Sequence, residues 1–153
     1  MRKAGAKSPP FIPEAEYERI KRQMPIPCVD LIVVDASEQI LLLLRANDPA
    51  RGCWWMPGGR VGFGETRVEA AVRKLYEEAQ LAADEVRELA TFDLILGNDN
   101  TSSHGITTVY QMCVSRASEV VLDRQSDAAQ WRSREQWLRD GLHPFVQQCL
   151  RLL

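Results

Sequence analysis

A chain of 153 residues, 45% hydrophobic and 26% charged, has material for one core and the polarity of an ordinary folded domain. Its formal net charge of -2 gives no support for a nonspecific nucleic-acid surface, and no apolar run reaches the roughly 20 residues needed to span a bilayer. Cys28, Cys53, Cys113 and Cys149 form no CxxC pair, and no apolar leader precedes Pro9-Pro10, so the expectation is a cytoplasmic protein with reduced thiols.

Residues 1–12 read as a flexible N-terminal tail, rich in Lys, Gly, Ser and Pro, ahead of a single domain over 13–153. Pro13 followed by EAEYERIKRQ predicts a helix over 14–23, ended by Pro25 and Pro27. VDLIVVD and QILLLLR predict two strands around a turn at 36–38, and their near-continuous apolar character predicts a sheet covered on both faces. A loop follows over 46–64, holding Trp54, Trp55 and Pro57 and rich in glycine. The spacing then predicts a helix over 65–79, strands over 88–96 and 107–115 separated by the polar loop GNDNTSSHG, and a short strand near 128–132. A turn-helix near 135–139 and a helix over 144–152 close the chain. The expected fold class is α/β, an α-β-α sandwich with a mixed sheet.

Chemistry concentrates in residues 58–81, GGRVGFGETRVEAAVRKLYEEAQL. At 100° per residue, Val68, Ala71, Val72, Leu75 and Ala79 form the predicted buried stripe, with Lys74 turned away from it and Glu78 at its border. The adjacent acids Glu77 and Glu78 repel each other unless a cation neutralises them; magnesium suits such hard oxygen donors. A solvated acidic face is the plainer reading, with Lys74 pairing to Glu78 across one turn. Pro57-Gly58-Gly59 allows close backbone approach, and Arg60 and Arg73 are candidates for diphosphate oxygens.

These residues resemble the Nudix hydrolase signature, Gly-x5-Glu-x7-Arg-Glu-hydrophobic-x-Glu-Glu-x-Gly-hydrophobic. Gly59 opens it, and Glu65, Arg73, Leu75, Glu77, Glu78 and Leu81 match at the required spacing. Lys74 stands where the first glutamate after the arginine would be, and Gln80 where the later glycine would be. The resemblance implies a Nudix-type α-β-α sandwich and a substrate that is a nucleoside diphosphate joined to another group. It also implies a divalent metal, magnesium with manganese possible as a substitute, held by glutamates of this helix.

Beyond the box, VDLIVV, LLLLRAN, GCWWMPGGRV, the DN-containing loop, TTVY and Gln125 before the WR strand resemble the GDP-mannose mannosyl hydrolase branch. That branch cleaves the sugar carbon–oxygen bond of GDP-mannose with inversion, and its members form dimers in which the N-terminal segment helps complete the neighbour's site. The resemblance therefore implies a homodimer acting on a nucleotide sugar, with no nucleic acid or membrane as partner. It places the Gly58 carbonyl, Glu78 and Gln125 around the metal, with Glu77 as a further acid. Asp30, Arg45, Arg60 and Tyr110 match substrate-facing positions, and Arg73 is assigned to the catalytic group. The branch has a general-base histidine immediately after the position of Gln125, where this chain has Ser126. Glu77, Asp127 and His104 are the replacement candidates for that base. His104 is expected in a loop able to close on the sugar, and His143 at a helix start reads as structural. Water attack on phosphorus, giving a nucleoside monophosphate and a sugar phosphate, is the alternative reaction; a binding module that has lost turnover is the alternative of a different class.

Overall fold

The computed structural model describes residues 8–97, 103–115 and 120–153. Its seven-stranded mixed sheet comprises β1 (Ile26–Asp35), β2 (Ile40–Arg45), β3 (Trp54–Trp55), β4 (Gly58–Arg60), β5 (Glu85–Leu96), β6 (Ser103–Val114) and β7 (Ser126–Arg132). The main path runs β3-β2-β1-β6-β5, with β4 added on β1 and β7 on β2. β1 and β6 are parallel, from Ile26↔Gly105 to Asp35↔Val114, and the other pairings are antiparallel. The helices are α1 (Glu14–Lys21), α2 (Arg67–Ala79), α3 (Arg134–Arg139) and α4 (Pro144–Leu150).

β1 explains the layering. Its alternate residues Val29, Leu31 and Val33 pack with Ala70, Ala71, Leu75 and Ala79 of α2, while Ile32 packs with Trp137, Phe145, Val146 and Cys149 of α3 and α4. A strand that is apolar on both faces needs cover on both faces, and this one has it. The predicted strands all form. β6 begins at Ser103, ahead of its expected start, so His104 and Gly105 belong to a strand rather than to the polar loop, while β5 ends at Leu96 as expected and begins early, at Glu85. The DN pair of that loop, Asp99 and Asn100, lies outside the described residues.

α2 buries a different face from the one its hydrophobic spacing predicts. The helix begins at Arg67 behind a capping box, in which Thr66 accepts from the Glu69 N–H and Glu69 reaches back to the Thr66 N–H. Its buried residues are Ala70, Ala71, Lys74, Leu75, Glu78 and Ala79, whereas Val68 and Val72 are each 46% exposed. The buried arc is thus rotated by about 60° from the one predicted by hydrophobicity alone. Ion pairing to Glu78 allows the Lys74 stem to go inward, and the buried alanines Ala70, Ala71 and Ala79 let the helix sit close to the sheet. At the far end Gln80 takes the left-handed cap conformation, with φ 53 and ψ 32, that glycine adopts without a Cβ penalty.

Candidate active site

Two features meet at the edge of the sheet where β4 pairs with β1. The first is the acid wall of α2. Arg73 grips Glu65 through two hydrogen bonds, Nε to Oε2 at 3.0 Å and Nη2 to Oε1 at 2.6 Å. It also donates to Glu77 Oε2 at 3.1 Å and to the Arg60 carbonyl at 3.1 Å. Glu65 Oε1 in turn accepts from the Gly62 N–H at 2.7 Å. Partial burial opposes ionisation of Glu65, but the Arg73 bonds, the Gly62 N–H and the charges of Arg73 and Arg60 outweigh it and hold its carboxyl below the usual range. Arg73, expected at the diphosphate, is instead engaged by its own chain and ties α2 to the turn before it.

Lys74 and Glu78 form the centre of that wall. Both are buried, at 7% and 6% exposure, and Lys74 Nζ lies 2.8 Å from Glu78 Oε1 and 3.4 Å from Glu77 Oε2. The other Glu78 oxygen accepts from the Gly58 N–H at 3.3 Å. Burial pushes the Glu78 carboxyl up; the Lys74 charge and hydrogen bond and the Gly58 N–H pull the other way, while the charge of Asp123 adds to the rise. Asp123 is therefore an acid of this neighbourhood that motif reading missed. Gln125 donates to it through both its backbone N–H, at 2.9 Å, and its side-chain Nε2, at 3.1 Å.

The turn is shaped by close approach. Leu31 N–H donates to the Pro57 carbonyl and Val61 N–H to the Pro27 carbonyl, each at 2.8 Å, with Gly58 opposite Asp30 between those bonds. Residues at such a position direct their own N–H and C=O away from the paired strand. A Cβ on Gly58 would lie 2.2 Å from the Val29 carbonyl oxygen, and one on Gly59 would lie 2.7 Å from Lys74 Cε. Backbone thus excludes a Cβ at Gly58, while the lysine stem occupies the space beside Gly59.

The second feature is a cavity of about 200 Å³ that Asp30, Arg45, Trp55, Gly58, Thr107 and Gln125 help to line. Asp30 is buried and accepts from Thr107 Oγ1 at 2.6 Å and from Trp55 Nε1 at 3.3 Å. Burial raises its carboxyl to about 6, against the pull of those two donors and of Arg45. Arg45 donates Nε to the Pro49 carbonyl at 2.7 Å. Trp55 also stacks on Phe145 with centroids 5.7 Å apart, so it packs the core and orients Asp30 at once. Cys28 lines the cavity too, and burial, with the Asp30 charge, pushes its thiol up to about 12, which keeps it protonated and poorly nucleophilic.

Of the residues singled out in the sequence, Asp30, Arg45, Gly58 and Gln125 come together around one cavity, and Glu78 joins them through Gly58. Others do not. Arg60 lies with its guanidinium 5.2 Å from the ring centroid of Tyr17 on α1, in a cation–π arrangement. Pro9 abuts Gly62, where an added Cβ would be 2.0 Å from the proline Cβ. The segment around α1 therefore braces this chain's own turn. Tyr110 is buried in the α2-side core and directs its hydroxyl to Glu88 Oε2 at 3.3 Å, away from the cavity. His104 lies in β6 and, by strand alternation, faces opposite to Ser103, Gly105 and Thr107, which line the cavity. Its Nε2 is buried without a hydrogen-bond partner among the described residues. Asp127 is exposed near the start of β7 and is not among the residues lining the cavity, while Ser126 is in register with Arg45. His143 caps α4, its Nδ1 accepting from the Phe145 N–H at 3.2 Å.

The donor chemistry fits a hard divalent ion at one place. Glu78 is a desolvated carboxylate that accepts from the Gly58 N–H, the Gly58 carbonyl is directed off β1, Glu77 is next to Glu78 on the helix, and Gln125 lines the cavity with Gly58. Among the described residues no three Asp, Glu, His or Cys side chains converge as a metal-binding group, so any such site mixes carboxylate with backbone and amide oxygen.

A family model described as the NUDIX domain matches residues 24–153. The chain is 32% identical over 148 residues to the low-salt glycan biosynthesis protein Agl8 of Haloferax volcanii, covering 93% of this chain and 90% of that protein. It is 45% identical over 49 residues to the ADP-ribose pyrophosphatase of Methanocaldococcus jannaschii, a match covering 32% of this chain and 29% of that protein. Among solved structures, the NUDIX domain of Shewanella oneidensis NrtR complexed with ADP ribose superposes with a TM-score of 0.72 at 20% identity, covering 92% of this chain and 96% of that one. A MutT NUDIX hydrolase from Burkholderia pseudomallei gives 0.72 at 24% identity, covering 85% of this chain and 98% of that one. No helix among the described residues is long and apolar enough to cross a membrane.

Proposed function

The chain belongs to the NUDIX domain family, and on that premise we propose that it is a magnesium-dependent hydrolase of a nucleoside diphosphate sugar, GDP-mannose first among them. One observation carries the reading: a single cavity joins a buried carboxyl, Asp30, and a cation, Arg45, to the Gly58 turn held by Glu78. Sugar hydroxyls require an acceptor such as Asp30, and a diphosphate requires a cation such as Arg45. The sequence likeness to a glycan biosynthesis protein over most of both chains agrees with a sugar nucleotide as substrate.

In this reading Glu78, the Gly58 carbonyl and Gln125 hold the ion, with manganese able to substitute. Bound there, it would neutralise the diphosphate and favour departure of the nucleoside diphosphate. The chain's own groups do the rest. Trp55 and Thr107 fix the Asp30 carboxyl, and the Pro49 carbonyl anchors Arg45 at the cavity wall. Arg73 holds Glu65 and Glu77 so that the turn and helix keep their spacing. Glu77 is the half-exposed carboxylate of this wall and the proposed proton acceptor, ahead of Asp127 and of His104, which faces away. The proposal includes a homodimer, on the strength of the resemblance, and a cytoplasmic setting, with which four unbridged cysteines agree.

Attack at phosphorus is the second reading. Ser126 beside Arg45 offers no base at the sugar end, and Glu77 is retained on the helix. Incubation with magnesium and GDP-mannose in water labelled with heavy oxygen separates the two. GDP with labelled mannose supports carbon–oxygen cleavage. GMP with mannose 1-phosphate replaces it with attack at phosphorus. Absence of turnover on GDP-mannose, with turnover of another nucleotide sugar, moves the base or sugar assignment, and tight binding without turnover of any supports a binding module.

A further inference from the structure

We infer that Lys74 is a built-in cation of the acid wall, which takes the place of one metal ion and limits the α2 carboxylates to a single, weakly held divalent ion. The inference rests on the proposed reading of Glu78 as a metal ligand.

Three observations carry it. Lys74 sits in mid-helix at 7% exposure, and burying an ammonium is unfavourable unless it is paired. Its Nζ bridges the two adjacent acids, at 2.8 Å from Glu78 and 3.4 Å from Glu77. Its stem also fills the space above Gly59, where an added Cβ would lie 2.7 Å from Cε and 3.2 Å from Nζ. The ammonium is therefore packed against the glycine turn as well as held by charge.

The charge balance follows directly. Glu77 and Glu78 carry two negative charges between them, and Lys74 returns one positive charge to that pair, while Arg73 also bonds Glu77. Glu78 has Lys74 on one oxygen and the Gly58 N–H on the other. A divalent ion arriving here meets a fixed like charge and must displace or share bonds already made, so its affinity is reduced. A glutamate at position 74, as in the signature this segment resembles, would add a carboxylate and remove that cation together, changing the local charge by two.

Direct manganese binding to the full chain, followed by electron paramagnetic resonance of the free ion at mildly alkaline pH, tests this without relying on turnover. The wild-type protein should bind at most one ion per chain. Lys74→Met should bind it on the order of tenfold more tightly, and its unfolding midpoint should rise with added manganese by more than the wild type's. Lys74→Glu should gain a second ion. Two or more ions of similar affinity on the wild type would overturn the inference even if neither variant folds. Equal affinity in wild type and Lys74→Met, with the ion lost in Glu78→Gln, would overturn it while leaving Glu78 a ligand. Absence of manganese binding to every protein would remove the metal reading itself, and the inference with it.

Discussion

On the α2 wall Glu65, Glu77 and Glu78 each meet a cation carried by α2, whereas across the turn Asp30 is held by a hydroxyl and an indole N–H. The two settings divide the work of the site. Acids paired with fixed cations define geometry, since each ion pair also ties a turn or a loop in place. An acid held by neutral donors and buried is raised well above the usual carboxylate range, because desolvation is only partly offset. One wall is thus a frame and the other a group able to respond to ligand and pH.

The largest effect is expected at Glu78. Glu78→Gln should lower turnover by about 100-fold or more, and leave Lys74 buried without its nearest partner at a cost of about 3 kcal/mol. Steady-state kinetics and denaturant unfolding on the same preparation check both, and unchanged turnover would remove Glu78 from the chemistry. Gly58→Ala should be nearly as damaging to stability, by about 3 kcal/mol, because the added carbon meets the Val29 carbonyl at 2.2 Å and backbone cannot step aside. A variant that unfolds at the wild-type denaturant concentration would show that the turn has slack.

Asp30 sharpens the other side. Its folded carboxyl titrates at about 6, above its value of 3.8 in the unfolded chain, so the folded protein binds more protons between those values. Stability should therefore fall as pH rises from about 4 to 6, by ~2 kcal/mol from this group, and stay lower above it. Asp30→Asn should flatten that decline in thermal melts, while reducing activity; a decline as steep as the wild type's would assign it to another group. The smallest effect belongs to the helix end outside both walls. Gln80→Gly should stabilise the protein by about 1 kcal/mol, measured by denaturant midpoint, because glycine takes the left-handed cap at no steric cost.

Much of this frame was legible in the linear chain. The strand pattern of VDLIVVD and QILLLLR required cover on both faces, and the structure supplies it with α2 on one side and α3 and α4 on the other. The spacing of Gly59, Glu65, Arg73, Glu77 and Glu78 marked the turn and helix, since local periodicity and glycine chemistry are properties of short segments. The Lys74–Glu78 pair follows from their spacing of one turn, whereas the burial of Lys74 does not, because hydrophobicity assigns a lysine to water and only a buried partner overrides that rule. His104 was misread because polar neighbours suggested a loop where β5 and β6 pair through Ile95↔His104, and strand parity then turned it from the cavity.

The sequence by itself determined the family, the need for cover on both faces of the sheet and the acid helix, all of which follow from the order of residue types along the chain. Tertiary structure decided which polar groups share a space. Trp55 and Thr107 meet at Asp30 from positions 25 and 77 residues away, and Asp123 influences Glu78 from a loop on another strand. No local spacing rule reaches across such separations. Burial and pairing are set by what the folded sheet brings opposite, and they decide whether a lysine, a carboxyl or a histidine becomes part of the site.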